Sequence, residues 1–170
     1  PGDPLWRETF LAIDDEAVLD RLAAQLGSFL KALHTIPAEH AIDVSIPRVD
    51  RRDDSVDMYE RIQQKLFPLM RSDAIPPIRD HFERYLDEPR IFDYEPALRH
   101  GEFGTFNLRY DPVTQSINGV LDFGGVGLGD PAVDFAGIIS PVCYGEPFLR
   151  RCYMVYPEIE TMLDRARFYV

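Results

Sequence analysis

A histidine, two acidic residues and an asparagine lie close together in the stretch from residue 98 to residue 134. One glycine separates His100 from Glu102, Asn107 follows Glu102 after four residues, and Asp122 ends the next apolar segment. A carboxylate can orient and deprotonate a hydroxyl group, and carboxylate and amide oxygens are ligands that hard divalent cations prefer. The combination is typical of a site where a hydroxyl group is activated beside a bound cation.

Two short extended segments carry the asparagine and the second acid. Residues 107–110 and 117–123 are predicted strands, and residues 111–114, Asp-Pro-Val-Thr, have the composition of a turn. If the strands pair antiparallel, Asn107 at the start of one and Asp122 at the end of the other lie at the same end of a hairpin. Each can then give one oxygen to the same Mg²⁺ ion.

The spacing of these residues matches a template for phosphoryl transfer. In protein kinases, His-Arg-Asp is followed after four residues by Asn, and Asp-Phe-Gly comes later. Here His-Gly-Glu at 100–102, Asn107 and Asp-Phe-Gly at 122–124 keep that spacing. Phosphoryl transfer needs a carboxylate for the acceptor hydroxyl and oxygen ligands for the magnesium on the phosphates. The pattern therefore favours a phosphotransferase.

Residues 20–40 and 96–140 resemble the aminoglycoside phosphotransferase and related small-molecule kinase family. The usual form of that family is His-Gly-Asp, four residues, Asn, then Asp-Trp/Phe-Gly and Gly-Asp-Pro-x-x-Asp. The matching segments here are HGEFGTFN, DFG and GDPAVD, and the upstream LGSFLKALHTIP is similar to the helix that enters the family's C-terminal lobe.

The resemblance implies a role for each of five residues. Glu102 stands at the catalytic-base position, and His100 belongs to the same catalytic loop as an orienting residue. Asn107 and Asp122 match the residues that bind the nucleotide through magnesium, and Asp134 matches the acid that supports the loop from the following helix. The implied cofactors are ATP and Mg²⁺, and the implied acceptor is a small hydroxylated molecule.

One departure from the family pattern concerns the base. The family has Asp where this chain has Glu102. The added methylene moves the carboxylate by about 1 Å, and such a displacement can lower a rate on the order of 10²-fold. Two alternatives therefore stay open. One is a kinase-like module that binds a ligand or partner with weak or no turnover, and the other is a metal-dependent phosphohydrolase that uses the same acids.

A second departure concerns the nucleotide lobe. The kinase fold covers ATP with a glycine-rich loop and places a lysine on a neighbouring strand. Neither has a counterpart here, because Lys31 and Lys65 fall on predicted helices. We therefore expect an α+β, mostly helical C-terminal lobe of a protein-kinase-like fold, without its N-terminal nucleotide lobe. These 170 residues alone are then expected to be inactive.

The chain is predicted to form a single domain over residues 1–170 with three parts. Residues 1–95 are helical, residues 96–130 hold the catalytic loop and metal-binding hairpin, and residues 131–170 form the C-terminal helices. Residues 38–53 are predicted as an irregular connection and residues 124–129 as a glycine-rich loop. Helices are predicted at about 14–34, 55–66, 76–86, 131–139, 147–156 and 158–169.

Composition restricts the class of partner and the compartment. A hydrophobic content of 45% is enough for a packed core, and a net charge of −11 argues against nucleic acid or an anionic membrane and favours a cationic acceptor such as an aminoglycoside. The chain has no apolar run of membrane-spanning length and no leader pattern. Two cysteines are too few for a disulfide framework, so a cytoplasmic protein is the expectation.

Several neighbouring residues have a structural and a functional interpretation. The GVGLG segment after Asp122 lacks the Gly-x-Gly-x-x-Gly spacing of a dinucleotide loop. His34 is interpreted as a capping or packing residue, Asp130 as a helix N-cap, and Asp134 as scaffolding or a direct contact. Five further residues fall where the family binds its acceptor, or are simply solvated: Tyr144, Glu146, Glu158, Glu160 and Asp164.

Overall fold

The computed structural model describes residues 2–170. In chain order the elements are β1 (Asp3–Pro4), α1 (Arg7–Leu11), α2 (Glu16–His34), α3 (Ala38–Asp43), α4 (Arg52–Lys65), α5 (Ile75–Leu86), β2 (Ala97–Arg99), β3 (Leu108–Asp111), β4 (Ser116–Val120), β5 (Gly127–Gly129), α6 (Ala132–Ile139), α7 (Glu146–Cys152) and α8 (Ile159–Phe168). None of the helices within these residues combines the length and apolar composition needed to cross a bilayer.

Helix α2 is the central element of the core. The Asp15 carboxylate caps it by accepting a hydrogen bond from the Ala17 N–H at 2.9 Å. At Gly27 the helix crosses closely over the end of α7, because a Cβ there would lie 2.6 Å from the Val155 side chain and 3.2 Å from the Cys152 carbonyl oxygen. This confirms the close crossing that the glycine predicted. The residues that α2 buries recur at helical spacing: Val18, Leu22, Ala23, Leu26 and Leu30.

The C-terminal helices pack on α2 and on one another. Helix α7 lies against α2, while α6 lies against both α7 and α8. Four side chains with no exposed surface come from different elements of this core: Leu108 in β3, Phe135 in α6, Leu149 in α7 and Ile159 in α8. The first strand of the hairpin is thereby anchored in the core through Leu108.

Two small sheets replace the single hairpin of the prediction. In the first sheet β3 is central, with β1 and β4 on its two sides, and all pairs are antiparallel. The second sheet pairs β2 with β5, so that Ala97 faces Gly129 and Arg99 faces Gly127. The predicted glycine-rich loop is thus partly a strand. Its glycines are required by crowding, since a Cβ on Gly127 would lie 2.5 Å from Val49.

The connection predicted as irregular over residues 38–53 contains the short helix α3 and the start of α4. Helix α3 buries only Ala41, so it has no apolar periodicity that could reveal it. Helix α4 begins three residues earlier than predicted, because the Arg51 backbone N–H donates to the Asp54 carboxylate at 2.9 Å. Two of the charged residues at the start of α4, Arg51 and Asp54, therefore serve to cap the helix. Two further boundaries differ, since β1 lies within the part predicted as helical and α7 ends at Cys152.

The core predicts a large effect for Leu149→Ala. Leu149 has no exposed surface, belongs to the hydrophobic core and lies on α7, the helix that packs against both α2 and α6. Removing its side chain leaves a cavity and is expected to lower the free energy of unfolding by about 2–5 kcal/mol. Urea unfolding of the whole protein checks this. Met154→Ala is the control, since Met154 is 86% exposed, and an equal midpoint for both variants would contradict the packing described.

Candidate active site

His100 follows β2 and has no exposed surface. Its Nε2 lies 2.9 Å from the Leu121 carbonyl oxygen, and its Nδ1 lies 3.3 Å from the Glu102 backbone N–H. The carbonyl can only accept and the N–H can only donate, so this network assigns the neutral tautomer with its proton on Nε2. The ring also packs on Phe103 and Phe123. Both nitrogens are used inside the protein, so the geometry suits His100 to orienting the loop and not to contacting a substrate.

Asp134 lies in the first turn of α6 and is completely buried. Its Oδ2 accepts a hydrogen bond from the His100 N–H at 2.8 Å, and its Oδ1 accepts one from the Gly101 N–H at 2.7 Å. Nε2 of His34 donates to the same Oδ2 at 3.0 Å, and Nδ1 of His34 lies 3.2 Å from the Tyr156 hydroxyl. One buried carboxylate therefore joins α6 and α2 to the backbone of the loop.

Two glycines permit the close approach of the loop to its surroundings. Gly101 has a φ of +86°, and a Cβ there would collide with the Arg99 guanidinium and the Gly125 carbonyl. A Cβ on Gly137, in α6, would collide with the Phe103 carbonyl. The loop lies directly on the helix backbone, so a shift of α6 moves the loop with it.

Asn107 and Asp122 meet at one end of the β3–β4 hairpin, as the antiparallel pairing predicted. The Leu121 N–H donates to the Asn107 carbonyl at 2.8 Å, which extends the strand pairing to the residue before Asp122. The Asn107 side-chain N–H donates to the Glu102 carbonyl at 2.8 Å, so its Oδ1 is available to a ligand. Asp122 is exposed, has a φ of +61°, and accepts from the Gly124 N–H at 3.2 Å.

The oxygen donors at this hairpin end fit a magnesium ion bound together with a substrate. Mg²⁺ keeps several waters in proteins and is held by one or two protein oxygens plus substrate phosphates. Asn107 and Asp122 supply two such groups. Among residues 2–170 there is no cluster of three or more His, Cys, Asp or Glu side chains able to hold a metal by themselves.

Glu102 lies at the edge of a cleft of about 690 Å³. The cleft wall comes from residues 48–50, from α4, from the 99–104 segment, from α6 and from Tyr169. Glu102 is exposed, and its side chain runs along the backbone of Gly125, where a Cβ would lie 2.9 Å from the Glu102 Cγ. A molecule in the cleft can therefore reach the carboxylate at the predicted base position.

Glu102 is the cleft-wall carboxylate that forms no ion pair within the part of the chain described here. Asp50 lies 2.5 Å from Arg99, and Asp54 lies 3.2 Å from Arg51. The hydrogen bond from Arg51 lowers the pKa of Asp54 below its ordinary value. The carboxylates of Asp50 and Asp54 are thus already compensated, which leaves Glu102 free to accept a proton or to pair with a cation.

Some residues singled out in the sequence have structural contacts. Asp130 lies one residue before Pro131, the N-cap position of α6, and still supplies a capping hydrogen bond, since its Oδ1 accepts from the Ala132 N–H at 2.9 Å. Its Oδ2 accepts from Arg165. Burial raises the pKa of Asp130, and the Arg165 guanidinium opposes that shift. His34 is not a cap. It packs in the core, as the other interpretation held, but its contact with Asp134 was not predicted, because no local pattern links residues 100 positions apart.

The residues proposed near the acceptor by resemblance do not line this cleft. The Tyr144 hydroxyl donates to the Leu5 carbonyl at 2.9 Å inside the core. Glu146 pairs with Arg150 and Arg167 on the surface. Glu158, Glu160 and Asp164 are also absent from the cleft wall. The solvated interpretation therefore fits the exposed acids Glu158, Glu160 and Asp164, whereas Glu146 is half-buried and held in ion pairs.

Sequence comparison identifies the family to which this lobe belongs. Residues 1–169 match the family model described as "Phosphotransferase enzyme family". The chain belongs to this family, and the resemblance seen in the motifs is confirmed.

A curated relative is viomycin phosphotransferase of Streptomyces vinaceus. It is 28% identical over 154 residues, which are 89% of this chain and 50% of the relative. The chain therefore spans about half the length of that relative.

Solved structures confirm the fold class predicted from the motifs, a C-terminal lobe of the protein-kinase-like type. The GDP complex of wild-type aminoglycoside 2'-phosphotransferase-IIIa matches all of this chain with a TM-score of 0.90 and 23% identity, over 57% of that protein. The gentamicin complex of APH(2")-IIa matches 98% of this chain with a TM-score of 0.75 and 26% identity, again over 57% of that protein.

The Asp134 contacts predict a defect in Asp134→Asn. Three donors converge on the carboxylate, but an amide offers one acceptor oxygen and introduces an N–H₂. At least one buried donor loses its acceptor, which is expected to lower the free energy of unfolding by about 1–3 kcal/mol. Urea unfolding measures it, with Asp164→Asn as the exposed control. An unchanged midpoint for Asp134→Asn would show that the carboxylate does not hold the loop.

Proposed function

We propose that this chain is the catalytic and acceptor-binding lobe of an ATP- and magnesium-dependent O-phosphotransferase acting on a small molecule. The observation that carries the proposal is the hairpin end, where Asn107 and Asp122 meet beside the loop that bears Glu102. Family membership supports the reaction type. The solved relatives include complexes with GDP, ADP and ATP, which supports a nucleotide as phosphoryl donor.

The chemistry assigned to Glu102 is general-base assistance. An acceptor hydroxyl oxygen attacks the γ-phosphorus, the bond from that phosphorus to the bridging β–γ oxygen breaks, and the hydroxyl proton passes to the Glu102 carboxylate. ADP leaves and the acceptor becomes a phosphate monoester. Such proton transfer typically contributes about 10²–10⁴-fold to a rate. His100 and Asp134 serve this step by holding the loop backbone.

Asn107 and Asp122 are the residues assigned to hold the Mg²⁺ of the nucleotide. When bound, the ion neutralises charge on the phosphates during transfer. The Asn107 side chain is oriented for this role, because its N–H₂ group is held by the Glu102 carbonyl. The same hydrogen bond ties the metal end of the hairpin to the base loop.

A small hydroxylated, cationic molecule of aminoglycoside type is the acceptor we propose. The net charge of −11 attracts cations over a distance, and Glu102 is the uncompensated carboxylate of the cleft among the described residues. Of the relatives named above, one is a viomycin phosphotransferase and another was solved with gentamicin. A catalytically weak ligand-binding module is the second candidate, and Glu102 in place of Asp is the observation that favours it.

Nucleotide binding is expected to depend on Asp122. In the whole protein, Mg-ATP at one hundred times its Kd raises the free energy of unfolding by roughly 2.7 kcal/mol. Asp122→Ala removes a metal ligand and is expected to abolish the thermal shift. Asp111→Ala, at the opposite end of the same hairpin, keeps the shift and is the control. A full shift in Asp122→Ala would contradict the magnesium assignment.

Turnover is expected to depend on the Glu102 carboxylate. Glu102→Gln keeps the size of the side chain but cannot take a proton, so kcat is expected to fall by about 10²–10⁴-fold. Glu102→Asp keeps a carboxylate, so it is expected to retain turnover. Phosphorylated product from an aminoglycoside panel is the measurement. Wild-type turnover in Glu102→Gln would reject the base, and nucleotide binding without any turnover in the wild type would favour the binding module.

A further inference from the structure

Arg99, the residue before His100, is a buried arginine whose guanidinium makes three hydrogen bonds inside the protein. Its Nε and Nη2 donate to the two oxygens of Asp50 at 2.5 and 2.9 Å, and its Nη1 donates to the Gly125 carbonyl at 2.7 Å. Burial opposes the charge, but the hydrogen bond and charge of Asp50 outweigh it and raise the pKa of Arg99 above its ordinary value. The guanidinium is therefore always charged.

The groups that Arg99 joins belong to three parts of the candidate site. Asp50 is in the cleft wall, has a φ of +61°, and its carbonyl accepts from the Tyr94 hydroxyl at 2.6 Å. Gly125 follows the assigned magnesium ligand Asp122 by three residues and supports the Glu102 side chain. Strand β2 continues from Arg99 directly into the base loop. These three segments are held together by a single side chain.

We propose that Arg99 is a positioning residue, which sets the base loop, the segment after Asp122 and the acceptor wall at Asp50 relative to one another. The inference rests on the proposed phosphotransferase function. The Asp50 carboxylate fixes the position of the Arg99 guanidinium. A bidentate pair fixes the plane of the guanidinium, and that plane fixes where Nη1 meets the Gly125 carbonyl.

A lysine is unable to replace this arginine. The guanidinium donates in a rigid plane to two carboxylate oxygens and to a carbonyl on its other side, whereas an ammonium is a point charge without that fork. Arg99→Lys therefore keeps the charge and loses the geometry. The Arg99→Lys variant therefore distinguishes a positioning role, which needs the guanidinium, from a need for any positive charge beside Asp50.

The matched control is Arg165, which pairs with the buried Asp130 through Nε at 2.9 Å. Side chains of the two arginines are similarly buried, at 10% and 15% exposed. Among residues 2–170 the Arg165–Asp130 pair shares no hydrogen bond with Glu102 or with residues 123–127, so Arg165→Lys makes the same chemical change without breaking a link to either. A general cost of disturbing a buried ion pair would appear in both variants.

The experiment compares wild type, Arg99→Lys, Asp50→Asn and Arg165→Lys in the whole protein, by steady-state kinetics and by amide hydrogen exchange. We expect Arg99→Lys and Asp50→Asn to lower kcat by about 10²-fold, as for a misplacement near 1 Å, with the KM for ATP changed less than threefold. Exchange is expected to rise in residues 100–104 and 123–127 and to stay unchanged in α2. Arg165→Lys is expected to keep kcat and exchange in both segments.

Three results would overturn the inference. These are a kcat for Arg99→Lys within threefold of wild type, an equal loss of kcat in Arg165→Lys, or unchanged exchange in the two segments of Arg99→Lys. If the wild-type protein phosphorylates no acceptor, the proposed function fails. The exchange comparison then still decides whether Arg99 holds these segments together.

Discussion

The hydrogen bonds from two consecutive backbone N–H groups to the buried Asp134 carboxylate are the constraint on which the site depends. A buried carboxylate is costly unless donors surround it, so its position is tied to every group that donates to it. His34 donates from α2, and the His100 and Gly101 backbone donates from the loop. The loop is also in contact with the backbone of α6, because a Cβ on Gly137 would collide with the Phe103 carbonyl. The contacts that join α2 to α6 therefore also fix the position of the loop.

The loop has a buried side and an open side, and the two differ in chemistry. On the buried side, His100 uses both ring nitrogens and its backbone N–H for internal hydrogen bonds. On the open side, Glu102 and Asp122 are exposed, and the Asn107 amide N–H₂ donates to the loop, which leaves its Oδ1 available to a ligand. The polar groups that hold the loop in place form their hydrogen bonds within the protein. The side-chain oxygens that can bind a ligand do not. This division is what preorganisation of a site requires.

Contacts between residues close together in the sequence could be predicted, and contacts between distant residues could not. Helix α2 and the β3–β4 hairpin were predicted because apolar spacing, turn residues and strand pairing are local signals. The contacts of His34 with Asp134 and of Arg99 with Asp50 span 100 and 49 residues, and no pattern in one segment announces them. The glycines of β5 predict a loop, because they resemble turn residues. They are instead required by Val49, which packs against the strand.

The glutamate at the proposed base position, Glu102, lies against the backbone of Gly125. A longer side chain at position 102 needs space for one more methylene, and Gly125 provides it, since a Cβ there would come within 2.9 Å of the Glu102 Cγ. The same glycine gives its carbonyl to Arg99. The path of the glutamate side chain is thus defined by a backbone segment that the buried arginine holds in place. The backbone around Gly125 therefore accommodates a glutamate where the family has aspartate. The position of the Glu102 carboxylate depends on this contact as well as on the length of the side chain.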